Sequence, residues 1–165
     1  MFSIPSELLS SVHTQSLDEC TSAEVKNIKF ESVTKPYTIM SKQYNDKTFK
    51  NCEFNSCKFC FCEFKNVVFD NSQLFYVEFY NCTFVDCKFC NCFINKTQIT
   101  NCQFDDMHFS ESIFISVSML NLTLSNGLSS HIQYCMLKYT AIDIGSVDNV
   151  KLILNDTACH HCNVS

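Results

Sequence analysis

Asn51-Cys52-Glu53-Phe54-Asn55-Ser56-Cys57-Lys58-Phe59-Cys60-Phe61-Cys62-Glu63-Phe64 brings round a phenylalanine every fifth residue, with a cysteine two places before each. The step continues in both directions. From Phe49 it runs through Phe54, Phe59, Phe64, Phe69, Leu74, Phe79, Phe84, Phe89, Ile94, Ile99, Phe104, Phe109, Phe114 and Met119 to Leu124, sixteen large apolar residues without a miss. Two residues earlier lies a second series of mostly small or medium uncharged side chains, among them Cys52, Cys57, Cys62, Val67, Ser72, Val77, Cys82, Cys87, Cys92, Thr97 and Cys102. A step of five fits neither the 3.6-residue period of an amphipathic helix nor the alternation of an ordinary strand. The chain must therefore turn a corner every few residues.

Segments such as Asn51-Cys52-Glu53-Phe54 and Asp86-Cys87-Lys88-Phe89 resemble the pentapeptide-repeat family, whose motif has a central Phe or Leu and a small residue two positions before it. The resemblance covers residues 47–124. It implies an all-β fold, a right-handed quadrilateral β-helix in which four pentapeptides complete one coil and residues twenty apart stack. On that geometry Phe49, Phe69, Phe89 and Phe109 form one column; Phe64, Phe84, Phe104 and Leu124 form another.

Tyr44 and Ile39 extend the series backwards, so the regular solenoid is placed at residues 37–125. Residues 1–36 show no repeat and are expected to cap the first coil, because an open solenoid end is an unpaired sheet edge. Pro5 after Ser3, with Ile4, Leu8, Leu9 and Val12 on one side, suggests a short helix there. The register breaks at residues 126–131, and a series shifted by three follows in 132–165: Ile132, Leu137, Ile142, Val147 and Leu152. This is either a corner insertion at Asn126-Gly127-Leu128 followed by a further coil, or a terminal cap with accidental spacing.

Composition narrows the function classes. Sixteen Phe, thirteen Cys, no Trp and only two Gly in 165 residues are the mark of a repetitive constraint. A net charge of −5, with both signs interspersed, offers no basic stripe for nucleic acid. No run of roughly 18 apolar residues is available to span a membrane. An odd number of regularly spaced cysteines fits free buried thiols, and hence a reducing, cytoplasmic setting, with a luminal compartment or secretion into a host cell as alternatives.

Catalytic chemistry is not expected. No nucleophile with a base, no paired carboxylates and no glycine-rich phosphate loop occur at meaningful spacing, and no cofactor is implied. Cys57, Cys60 and Cys62 are echoed by Cys87, Cys90 and Cys92, but the repeat puts four of these inside and only Cys60 and Cys90 outward. His108, near Asp106 and Asp86, reads as a solvated surface histidine. Cys159-His160-His161-Cys162 has zinc-ligand chemistry, yet neighbours in sequence do not easily close a tetrahedron, and a metal-free tail is expected.

The informative asymmetry is on the outside. The face with Leu74, Ile94 and Phe114 inside carries Phe75, Tyr76, Phe93, Ile113 and Ile115 outside, where other faces show Asn, Asp, Ser, Lys and Thr. Such a patch predicts a protein partner or a homodimer, unless a terminal segment of the chain folds over it. The leading reading is a non-catalytic interaction module or scaffold. A narrower resemblance of Tyr80-Asn81-Cys82-Thr83-Phe84 to the luminal pentapeptide domain of synaptic vesicle glycoproteins implies a glycosylated recognition surface, with sequons at Asn81, Asn95, Asn121, Asn155 and Asn163. The quinolone-resistance members of the family imply a DNA-mimicking gyrase binder, but Lys58, Lys65, Lys88 and Lys96 dilute the acidic groups here; a secreted bacterial effector is the remaining alternative.

Overall fold

The computed structural model describes residues 13–14, 17, 21–31, 37–124, 130–144 and 152–165. These form short strands, most of three residues, joined only in parallel, with no α-helix among the described residues. Phe69 pairs with Phe49 on one side and Phe89 on the other, Leu74 with Phe54 and Ile94, Phe79 with Phe59 and Ile99, and Phe84 with Phe64 and Phe104. The twenty-residue coil is thus a register, and the solenoid has four walls, named here by Phe49, Phe54, Phe59 and Phe64. Ser118–Leu124 runs across a corner and joins the last two walls into one sheet.

The central residue of every regular strand points inward. Twelve phenylalanines are the largest fully buried side chains. Most rings one coil apart lie almost parallel, with centroids 4.4 Å apart for Phe69 and Phe89, 4.8 Å for Phe64 and Phe84 and 5.0 Å for Phe59 and Phe79, whereas Phe84 and Phe104 meet at 88°. Rings on adjacent walls meet edge to face, as Phe59 and Phe64 do at 5.5 Å. Both arrangements suit the aromatic quadrupole. Burial contributes roughly 1.5–3 kcal/mol per phenylalanine, set against the entropy of fixing so many short turns.

The small series has a polar task as well as a steric one. The Cys82 thiol donates to the Phe59 carbonyl at 3.4 Å, Cys87 to Phe64 at 3.3 Å and Cys92 to Phe69 at 3.3 Å, while the Ser72 hydroxyl donates to the Phe49 carbonyl at 3.0 Å. Each reaches a carbonyl of the preceding coil that would otherwise be buried without that partner. A thiol fills the column like a small apolar group and still supplies a weak donor.

Corners require a left-handed residue. Asn51, Asn71, Asn91 and Asn101 have φ between 49° and 54°, as do Asp86 and Asp106 at 52°. Asn and Asp tolerate this region better than other non-glycine residues, which explains how the chain turns so often with two glycines. The corner side chains also ladder: Asn71 Nδ2 donates to Asn51 Oδ1 at 2.8 Å, and Asn66 Nδ2 to Asp46 Oδ1 at 2.8 Å.

Several boundaries differ from expectation. Glu24–Lys26 and Ile28–Glu31, assigned above to a non-repeating segment, already form walls: Val25 pairs with Phe49 and Phe30 with Phe54, both buried. The register there is twenty-four residues, so four extra between Glu31 and Tyr37 break the arithmetic while the stacking survives. The proposed helix at Pro5–Val12 lies outside the described residues. After the break at 126–131 a further coil does follow, Phe109 over Ile132 and Phe114 over Leu137. Leu152 is not its next central residue. It pairs with Ser130, and Leu154 takes the place over Ile132, a second advance of two residues. Residues 158–164 are not a loose tail, since Ala158–His160 and Asn163–Val164 pair with the preceding coil.

Replacing Phe89 by Ala should cost about 3–5 kcal/mol, because a cavity opens between two parallel rings, whereas Leu, which already serves at Leu74, should cost clearly less. Urea unfolding monitored by circular dichroism measures both. The thiols predict an alkaline limit. Burial pushes Cys57 and Cys92 up to about 12 and Cys87 to about 11, from an ordinary 9.0. The folded state holds these protons longer than the unfolded chain does, so stability is full below about pH 8.5 and falls as pH rises through 9 towards the folded values. Melting temperatures should therefore be flat from neutral pH to about 8.5 and decline above it.

Candidate functional site

The outer surface of the Phe54 wall has two columns. One contains Glu53, Gln73, Phe93, Ile113 and Met136; the other contains Asn55, Phe75, Asn95, Ile115 and Lys138. Phe75 leans diagonally to Phe93, with ring centroids 5.6 Å apart at 57°. Ile113 and Met136 are exposed by 39% and 45%, while Phe75 and Phe93, in contact with each other, and Ile115 are half-buried. The patch is flatter than five fully exposed side chains would be. Met136 was missed from the sequence; its signal is the three-residue shift, which puts it over Ile113.

Tyr76 stands beside these columns on the corner, with φ of 54° and half its surface exposed. Lys96 Nζ donates to its hydroxyl at 2.9 Å and lies 5.0 Å from the ring centroid. Tyr76 therefore forms a polar rim to the patch. On the other flank a groove runs along the corner ladder Asn27, Asn51, Asn71 and Asn91 and ends at Phe93.

A second apolar stripe went unread in the sequence. On the Phe59 wall, Met40, Cys60 and Tyr80 share a column with Leu120 two coils on, and Phe61 occupies the adjoining corner with its ring edge-on to Tyr80 at 6.2 Å. Cys60, expected outside, is buried, because Met40 and Tyr80 flank it on the neighbouring coils. Thr100 interrupts this stripe, and the Lys58–Glu78 ion pair at 2.7 Å separates it from the Phe54 wall.

The remaining candidates fall in separate places. His160 and His161 are exposed, with His161 stacked on Tyr139 at 5.4 Å, whereas Cys162 is partly buried and donates its thiol to the Leu137 carbonyl. His108 is half-buried, and its Nε2 lies 3.0 Å from Asp106 Oδ1. The sequon residue Asn95 sits between Phe75 and Ile115, with its side-chain oxygen buried and without a partner. Among the described residues, no helix is long and apolar enough to cross a membrane.

The pentapeptide-repeat family model matches residues 52–91 in eight copies. No curated protein matches the sequence. Among solved structures, a trypsin-treated form of QnrB1, a plasmid-mediated fluoroquinolone resistance protein, aligns over 78% of this chain and 90% of its own at 11% identity and a TM-score of 0.34. HetL, a pentapeptide-repeat protein involved in heterocyst differentiation regulation from the cyanobacterium Nostoc, aligns over 84% of this chain and 90% of its own at 7% identity and a TM-score of 0.19. Likeness at that level carries no inference about partners. Residues 52–91 are thus a run of pentapeptide repeats, and the same inward columns and left-handed corners continue on both sides of them.

Proposed function

We propose that this protein is a non-catalytic binding module and that the outer surface of the Phe54 wall docks a protein, either a different chain or a second copy of this one. The observation that carries the reading is the run Phe93, Ile113 and Met136 down one column, widened by Phe75 and Ile115 in the next. Three successive coils present carbon here without a break, whereas the apolar stripe of the Phe59 wall is interrupted by Thr100. Apolar side chains held on a rigid wall lose little entropy on docking, which favours them as interface anchors. Tyr76 and Lys96 supply the polar edge expected around such a centre.

A reducing, cytoplasmic environment fits this reading. Nine of the twelve cysteines among the described residues are buried free thiols, and those of the inner columns donate to carbonyls, so none of these needs a disulfide to be satisfied.

The double substitution Phe75→Ser with Phe93→Ser tests the surface. Loss of two anchors should weaken association on the order of thirtyfold or more, with an unchanged circular dichroism spectrum. Sedimentation velocity over a concentration series reads the second-copy arm; quantitative comparison of proteins retained by wild type and variant reads the other. Equal self-association and equal retention would overturn the assignment.

A further inference from the structure

On the Phe49 wall, away from the docking surface, His108 and His131 occupy the same outer column on successive coils. Their imidazoles are stacked, with centroids 4.9 Å apart and planes 3° from parallel. Asp106 occupies the corner immediately before His108, and its Oδ1 is 3.0 Å from His108 Nε2. One ligand atom from each of Asp106, His108 and His131 lies within 4.8 Å of the others, and all three residues are half-buried.

The alignment is a product of the irregularity. A twenty-residue coil would set Leu128 over His108; the register of twenty-three across the break brings His131 there instead. His131 Nδ1 is sealed from solvent and has no hydrogen-bond partner, so no bond at that nitrogen fixes the ring against turning. Around the cluster, Asp105 follows Phe104 on the neighbouring wall, with one carboxylate oxygen buried and unpartnered, and Asp86 holds the same corner one coil earlier. Lys88, exposed in the histidine column one coil earlier, is the single cation among these positions. The local balance favours a positive ion.

We propose that Asp106, His108 and His131 form a binding site for a divalent cation of the zinc type, which bridges the coils on either side of the register break. Two imidazoles and one carboxylate are a donor set that such an ion accepts, with a fourth position left for water. Tetrahedral ligation needs donor atoms roughly 3.3 Å apart for metal bonds near 2.0–2.1 Å. His108 Nε2 and Asp106 Oδ1 already meet that separation, the metal replacing the proton between them, and His131 reaches it by rotating out of the parallel stack. The ion would act as a clip, tying Asp106 and His108 to the coil that the insertion displaces.

Titration of the full-length chain with cobalt(II), then zinc, tests this. One equivalent should bind with d–d absorption and no thiolate-to-metal charge-transfer band, and the imidazole nitrogens of His108 and His131 should shift together in 15N spectra. Zinc should raise the melting temperature. Asp106→Asn, which places at this corner the residue most common at the others, should fold normally, and both it and His131→Gln should weaken binding at least tenfold and abolish the thermal shift. A thiolate band, which would put the ion on cysteine, would overturn the site. So would unchanged affinity in Asp106→Asn, or the absence of binding by the wild type.

Discussion

Parallel pairing between residues one coil apart is the constraint from which the rest of this molecule follows. Strands of three residues cannot hold a sheet by themselves; each exists because its backbone groups bond to the coil above and the coil below. That pairing puts like over like. Phe69 must face Phe89 at 4.4 Å, so a column accepts only side chains that tolerate their own company at close range. Flat rings do this better than branched aliphatics, and the preference for phenylalanine is a consequence of repetition rather than of hydrophobicity alone.

The same stacking governs the polar positions. At a corner, the carboxamide of Asn51 donates to that of Asn27 on one side and accepts from that of Asn71 on the other. In the inner small column, a thiol or hydroxyl recurs because a carbonyl recurs beneath it. Raised thiol pKa values follow from the same burial that makes the column compact. Stability and chemical quietness thus have one origin.

Most of the fold was legible because the step of five is unlike that of any helix or strand, and because sixteen matches in succession leave the register no freedom. What escaped was local. The first walls at Val25 and Phe30 were hidden by four residues that change the count without changing the stack. The last walls were misassigned by two residues for the same reason, since Leu154 and not Leu152 lies over Ile132. The apolar columns of the Phe54 wall were readable in outline from Phe75, Phe93, Ile113 and Ile115. Their depth was not, because half-burial arises from diagonal contacts between coils that no linear spacing displays. The histidine pair was invisible in principle: twenty-three residues apart, it is brought together by the very break that interrupts the pattern.

The bulky corner residues have a further meaning. Phe61, Tyr76, Tyr134 and Tyr139 adopt φ values between 50° and 55°, a region that large side chains ordinarily avoid, and each remains more than half exposed to water. Asparagine does the same structural work elsewhere without strain. A prism with aromatic fins on its edges has surrendered some intrinsic stability to make them protrude. Each such ring is held out at a backbone cost that asparagine, at the other corners, does not incur, so exchange for asparagine would trade the projecting ring for a firmer coil.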